Sequence, residues 1–244
     1  MRFSDYKNIF NFHGKGFYAL GRVYSAFREV HAFDLKRRVD TSTIKIDGYA
    51  DPRYMIYQPV YTSICVEMIR KAFEWYTSGI RYSRDNLITI FVDLGAGSGK
   101  TVILANESNY FDFCAGVELD KELHERSKTN LPPKSVNREK KTKILHILSN
   151  VEHKEWIDKL TEDIPDEKRS NIVLFAFNKN SYNGEVVDRT LRLMSDRFNN
   201  ILYLYQNPIH HRVVTENGFF EIQRDGYMNN AHKNRKYILY HKSN

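Results

Sequence analysis

The sequence predicts an α/β protein, an open and mostly parallel sheet with helices on both faces and an antiparallel closing strand. Three observations point to it. From Leu87 onward, short apolar runs alternate with segments whose apolar residues recur every three or four positions. The first of those runs, Leu87 to Val92 with only Thr89 polar, ends in an acid and then breaks into glycines at alternate positions, Gly95, Gly97 and Gly99. The chain then finishes in two β-type runs joined by a polar turn.

Residues 1–86 read as an N-terminal helical and loop extension, and residues 87–244 as the sheet domain. Within the extension, 17–30 has apolar residues at 20, 23, 24, 27 and 30, the spacing of a helix that caps the domain. Segment 48–59 is loop-like, broken by Asp51-Pro52 and Gln58-Pro59. A helix follows over 60–76, with Ile64, Met68, Ala72 and Trp75 on one face and Gly79 as its stop. Strands are expected at 88–93, 113–118, 144–148, 171–177 and 201–205. Helices are expected from 99, over 121–130, 152–160 and 185–198, and from 208 to 216. The 185–198 helix rests on Val187, Leu191, Met194 and Phe198. Runs 219–224 and 237–241 close the sheet, which brings the strand count to seven.

The chain has 244 residues, 41% of them hydrophobic, enough for one large domain or one domain with an extension. No run reaches the length of a membrane span, and Arg2, Asp5 and Lys7 precede any apolar stretch, unlike a secretory leader. Cys65 and Cys114 lie in apolar segments and read as reduced core residues of a cytoplasmic protein. Two distant cysteines and scattered histidines lack metal-ligand spacing. The formal charge of +7 suits nucleic acid, an acidic protein surface or an anionic lipid face without selecting among them. Its densest blocks, 134–143 and 232–236, read as solvated loops.

A strand, a tight glycine turn and a helix start make a cradle of backbone N–H groups that a ligand can approach without meeting a Cβ. Gly99-Lys100-Thr101 supplies the end of a polyphosphate loop, but the glycine that should open it is Leu94. A dinucleotide fingerprint begun at Gly95 puts Lys100 where a small residue belongs; begun at Gly97, it puts Val102 there. Asp93 is also a poor neighbour for a pyrophosphate. Asp93 suits an ammonium, and Glu118, ending the next apolar run about twenty residues on, suits ribose hydroxyls.

The phrase Val92-Asp93-Leu94-Gly95-Ala96-Gly97-Ser98-Gly99 resembles motif I of the class I, Rossmann-like S-adenosylmethionine-dependent methyltransferases, and Gly116-Val117-Glu118-Leu119-Asp120 resembles their acidic loop. Upstream, Val39-Asp40-Thr41 and Tyr57-Gln58-Pro59 are similar to the leader of a group of small bacterial methyltransferases. The resemblance implies a transferase that binds S-adenosylmethionine, releases S-adenosylhomocysteine and uses no metal. It places the cofactor against Asp93, Leu94, Gly95, Ala96, Gly97, Ser98, Gly99, Glu118, Leu119, Asn150 and Phe177.

Methyl transfer needs an aligned acceptor and, for a protonated amine or a hydroxyl, a base. Candidates at the carboxyl edge are Asn178, Asn180, Tyr182, Asn207, His210 and His211, with Tyr57 from the leader. Asn178, Tyr57 and His210 are the expected catalytic set. The group's Asn-Pro phrase after strand four has become Asn178-Lys179, which keeps the amide and loses the proline's rigidity. The Asn/Asp-Pro-Pro-aromatic loop that clamps a base amine is absent. That favours a protein or small-molecule acceptor over nucleic acid, and it leaves room for a module that binds cofactor without transferring. Ser149 is the expected N-cap of the helix after strand three.

Overall fold

The computed structural model describes residues 24, 27–41, 60–79, 87–131, 142–225 and 236–243. Its strands are β1 (Ile88–Leu94), β2 (Phe113–Glu118), β3 (Lys143–Leu148), β4 (Ile172–Asn178), β5 (Asn200–Gln206), β6 (Phe220–Asp225) and β7 (Tyr237–Ser243). They form one sheet of seven strands in the order β3-β2-β1-β4-β5-β7-β6. β1 to β5 are parallel, and β7 runs antiparallel between β5 and β6. The order reverses between β1 and β4, so the crevice outside their carboxyl ends is the natural ligand site of such a sheet.

A π-helical turn (Phe27–His31) runs into α1 (Ala32–Arg37), and α2 is Thr62–Gly79. The later helices are α3 (Lys100–Glu107), α4 (Lys121–Asn130), α5 (Glu155–Thr161), α6 (Asp166–Arg169), α7 (Gly184–Ser195) and α8 (His211–Glu216). Parallel strands covered on both faces must be apolar on both, and every residue of β4 is buried. On one face, Trp156 and Leu160 of α5 and Val187, Leu191 and Met194 of α7 pack on Val92, Leu174 and Ala176. On the other, Cys65, Met68 and Ala72 of α2, Val102 and Leu104 of α3, and Phe33 of α1 pack on Phe91, Phe175, Phe177 and Leu204. Side chains alternate along a strand, so Asp93 shares the α2–α3 face with Phe91, and Asn178 shares the α5–α7 face with Ala176.

The strand–helix alternation is as the sequence predicts, with boundary differences that have local causes. The helix expected to end at Val30 continues through α1 to Arg37, because buried Phe33 anchors it; Arg38, at φ 56, ends it by donating its N–H to Asp34 O. Its expected start falls mostly outside the described residues, as do the 48–59 loop and most of both basic blocks. The helix after β3 begins at Glu155 rather than 152. Asn150 Oδ1 accepts the Glu152 N–H at 3.0 Å, and Trp156 Nε1 donates to Val151 O at 3.0 Å, so 151–154 is held as a turn. Ser149 is therefore not the cap: its hydroxyl donates to Asn150 O at 3.3 Å. The helix expected from 208 begins at His211, because Asn207 sits in the left-handed region at φ 53. Both cysteines are buried, and neither forms a disulfide among the described residues. Among the described residues no helix is long and apolar enough to cross a membrane.

Candidate active site

The glycine turn is held to β2 by backbone alone. Gly95 N and Ala96 N both donate to Val117 O, at 2.9 and 3.0 Å, and Gly99 N closes the turn on Ala96 O at 2.9 Å. Gly95, Gly97 and Gly99 have φ of 81°, 54° and 83°, a region that strains any residue with a Cβ. The turn can lie this close only because its floor is also glycine. A Cβ on Gly116 of β2 would stand 2.8 Å from Ala96 Cβ and 3.2 Å from Val102 Cγ2.

The two strand-end acids flank this turn in different states. Glu118 is fixed by three backbone donors: Gly97 N reaches Oε2 at 2.7 Å, and Leu119 N and Asp120 N reach Oε1 at 2.9 Å each. Burial raises its pKa against those bonds. Asp93 is buried and lies within electrostatic reach of Lys179; burial pushes its carboxyl up to about 7, with Glu118 adding to the rise. Leu94, Ala96 and Phe177 have buried side chains in the two cores, so what they offer a ligand is backbone. The Ser98 hydroxyl is buried with no hydrogen-bond partner. Leu119 is 42% exposed at the end of β2, and Asn150 stands half-buried at the end of β3.

The segment before the sheet is fastened to this corner by residues that the sequence reading passed over. Lys100 counted there as the end of an incomplete polyphosphate loop and as a residue that spoils a dinucleotide fingerprint. It is 2% exposed, donates from Nζ to Glu29 O at 2.5 Å and lies 4.7 Å over the Phe33 ring. It therefore points into the leader rather than toward a phosphate. Glu29 in turn caps α2, accepting Ser63 N and Ser63 Oγ at 2.9 Å each. Asn130, at the end of α4, takes the Asp40 N–H at 2.9 Å and donates to Asp40 O at 2.6 Å and Ser98 O at 3.0 Å. Thr41 is buried and held by Asp34, its Oγ1 donating to Oδ1 at 2.6 Å. The contacts of Lys100 with Glu29 and of Asn130 with Asp40 span 71 and 90 positions of chain, and a lone buried polar residue is the only local sign of them.

At the ends of β4 and β5 the side chains hold one another. Asn178 is 1% exposed; its Nδ2 donates to Tyr203 OH at 2.9 Å and its Oδ1 accepts Ser181 N at 3.0 Å. This Asx-type closure supplies the rigidity that loss of the proline was expected to remove. Tyr205 OH donates to Asn180 Oδ1 at 3.1 Å, and Asn180 is left-handed at φ 56. Tyr182 lies over the glycine turn, its hydroxyl 2.6 Å from where a Gly95 Cβ would be. His210 packs its ring against Gly184 at the start of α7, 3.2 Å from where a Cβ would stand. His211 Nδ1 is 2.7 Å from Tyr240 OH. The Asn207 side-chain carbonyl oxygen is buried without a hydrogen-bond partner. Tyr57 lies outside the described residues. Lys179, half-buried between the two pinned asparagines, was not singled out by the sequence reading. Among the described residues, no group of three His, Cys, Asp or Glu side chains could hold a metal ion.

No family model matches the sequence, and no curated protein matches it. Solved structures do match in fold. The human methyltransferase 10 domain containing protein superposes with a TM-score of 0.53 at 11% identity, over 90% of this chain and 95% of that one. A Leishmania major S-adenosylmethionine-dependent methyltransferase gives 0.46 at 12% identity, over 74% and 72% of the two chains. TrmK of M. capricolum, solved with S-adenosylhomocysteine, gives 0.41 at 11% identity, over 72% and 66%. The fold is that of the class I, Rossmann-like methyltransferases.

Proposed function

We propose that this chain is an S-adenosylmethionine-dependent methyltransferase whose cofactor lies across the carboxyl ends of β1, β2 and β4. One observation supports the reading most: two buried acids, Asp93 and Glu118, frame a turn built on three glycines at positive φ. The residues present fit the group. Asp93 offers a carboxylate to the ammonium of the methionine part, and the glycine turn admits close approach. Glu118, locked by Gly97, Leu119 and Asp120, presents a fixed carboxylate to ribose hydroxyls. Ser98 adds a buried hydroxyl without a partner. Leu119, exposed at the end of β2, and Asn150, half-buried at the end of β3, are the residues proposed to meet the adenine ring. Bound there, the cofactor supplies a methyl group on a positively charged sulfur.

The chain's own residues then have three tasks. The glycine turn and both acids fix the donor, the loop from Asn178 to Tyr182 positions the acceptor in line at about 3–3.5 Å, and a base takes a proton where the acceptor carries one. His210 or His211 is the proposed base, Tyr57 is proposed to close over the cofactor or orient an amine, and Asn178 orders the loop after β4. The acceptor is a protein or small molecule, a reading supported by the commitment of the Asn178 amide to Tyr203 and Ser181. An amide so engaged is poorly placed to clamp the exocyclic amine of a base.

Calorimetric titration with S-adenosylhomocysteine tests the pocket. Asp93→Ala and Gly97→Val are expected to abolish binding seen with the wild-type chain, and unchanged affinity in both variants would falsify the assignment. Labelled methyl transfer into lysate split into protein, nucleic acid and small molecules then reads the acceptor class. Binding with no transfer into any fraction favours a cofactor-binding module.

A further inference from the structure

Within the glycine turn, Ser98 is the residue with polar capacity to spare. Gly95, Ala96, Gly97 and Gly99 spend their N–H groups on Val117 O, on Glu118 and on Ala96 O. The Ser98 hydroxyl is buried without a partner. What fixes this residue is its carbonyl, which accepts Asn130 Nδ2 at 3.0 Å. Asn130 is 4% exposed, and its carboxamide is fully used. The two Nδ2 protons go to Ser98 O and Asp40 O, and Oδ1 takes the Asp40 N–H. Two carbonyls against one end and an N–H against the other allow a single orientation of the amide. The Asp40 main chain is held in turn by a hook folded on Asp34 of α1. Arg38 N and Val39 N donate to Asp34 O, while Thr41 gives its N–H to Oδ2 at 3.1 Å and its hydroxyl to Oδ1 at 2.6 Å. The Asp40 carboxylate meets Arg126 Nη1 at 2.8 Å, so α4 grips the leader at two points one turn apart.

The geometry points to Asn130 as a positioning residue of the cofactor pocket, aimed by the leader: the hook at 34–41 orients the carboxamide, and the carboxamide orients Ser98. This rests on the pocket reading proposed above, in which Ser98 meets the cofactor. A bond to the Ser98 carbonyl sets the plane of the Ser98–Gly99 peptide, in a stretch that a glycine on either side leaves free to rotate. Without that bond the turn samples other planes, binding must select the competent one, and affinity falls by the fraction of the population that remains competent. The leader thereby serves donor binding as well as covering one face of the sheet.

The test titrates the full chain with S-adenosylhomocysteine, each variant well below its own melting temperature, so that affinity is read on folded protein. Asn130→Ala is expected to bind about tenfold more weakly than wild type, within the usual range for coupled sites. Thr41→Val leaves Asn130 in place and removes only the hydroxyl bond to Asp34. It should lose affinity by a smaller factor, and Thr41→Ser, which keeps the hydroxyl, should bind as wild type does. Because Asn130 acts through Ser98, the Ser98→Ala/Asn130→Ala double variant should lose less than the product of the two single losses. Thr41→Val carries the test if Asn130→Ala does not fold. Lower melting with wild-type affinity in Asn130→Ala and Thr41→Val overturns the inference while the pocket reading stands, provided that wild type binds and Asp93→Ala does not. Single losses that simply multiply in the double variant, or a loss in Asn130→Ala with none in Thr41→Val, overturn it as well. If wild type itself fails to bind, both readings fall together.

Discussion

At the ends of β1 and β2, the glycine turn and Glu118 are satisfied by main chain: Gly95 and Ala96 share Val117 O, and Glu118 collects three N–H groups. At the ends of β4 and β5 the partners are side chains, Asn178 with Tyr203, Asn180 with Tyr205, and His211 with Tyr240. The first half depends on where glycine stands and tolerates little else. The second half depends on pairs of side chains, each replaceable with its partner. One edge thus carries a fixed frame for a common ligand beside a wall that can be rebuilt for different acceptors.

The sharpest way to break this comparison is to neutralise Asp93. Burial pushes its carboxyl up to about 7, above the ordinary carboxylate value near 4. Between those two pH values the folded chain keeps a proton that the unfolded chain has released, so the charge costs stability as pH rises through the window, and the loss levels off above it. Asp93→Asn removes that slope. Its melting temperature should gain on wild type as pH rises from about 4 to 7, by about 2–4 °C for each kcal/mol involved. Affinity of the wild type for S-adenosylhomocysteine should run the other way, weakening as pH falls below about 7, because protonated Asp93 cannot pair an ammonium. A wild-type affinity that is flat across that window would remove Asp93 from the binding set.

A smaller effect is expected from Asn178→Ala. The change strands the Tyr203 hydroxyl and the Ser181 N–H, groups now paired at 2.9 and 3.0 Å, and should cost about 1–3 kcal/mol in denaturant unfolding. Cofactor affinity should move little while methyl transfer to a found acceptor falls, since the loop loses its closure and the glycine frame does not. Smallest of all, Tyr205→Phe deletes the 3.1 Å bond to Asn180 Oδ1. About 0.5–1.5 kcal/mol of stability is expected to go, with S-adenosylhomocysteine binding unchanged. If Tyr205→Phe weakened binding as much as a change at Asp93, the two halves would not be separable.

The same contrast governs what could be read from the sequence. The frame is local: Asp93, the three glycines and Glu118 fall within 26 consecutive residues and carry a pattern with a physical reason. The strand count and the mostly parallel sense of the sheet follow from the alternation of apolar runs and the closing pair. The wall is assembled across 25 to 29 positions, and nothing in Asn178-Lys179-Asn180 announces that tyrosines on the next strand will hold it. Lys100 could be read only as a defect in another motif, because its partners Glu29 and Phe33 lie some seventy residues back. Asn150 and Ser149 show the same limit at short range. Both can cap, and only the traced chain reveals that the amide takes Glu152 N.

Asn130 touches Asp40 twice and Ser98 once, and neither partner is near it in the chain. One carboxamide thereby makes the leader, the floor turn and the end of α4 a single mechanical unit. Anything that stills the turn also damps Asp40, so solvent exchange at that amide should slow in step with occupancy of a pocket whose contents it does not itself contact.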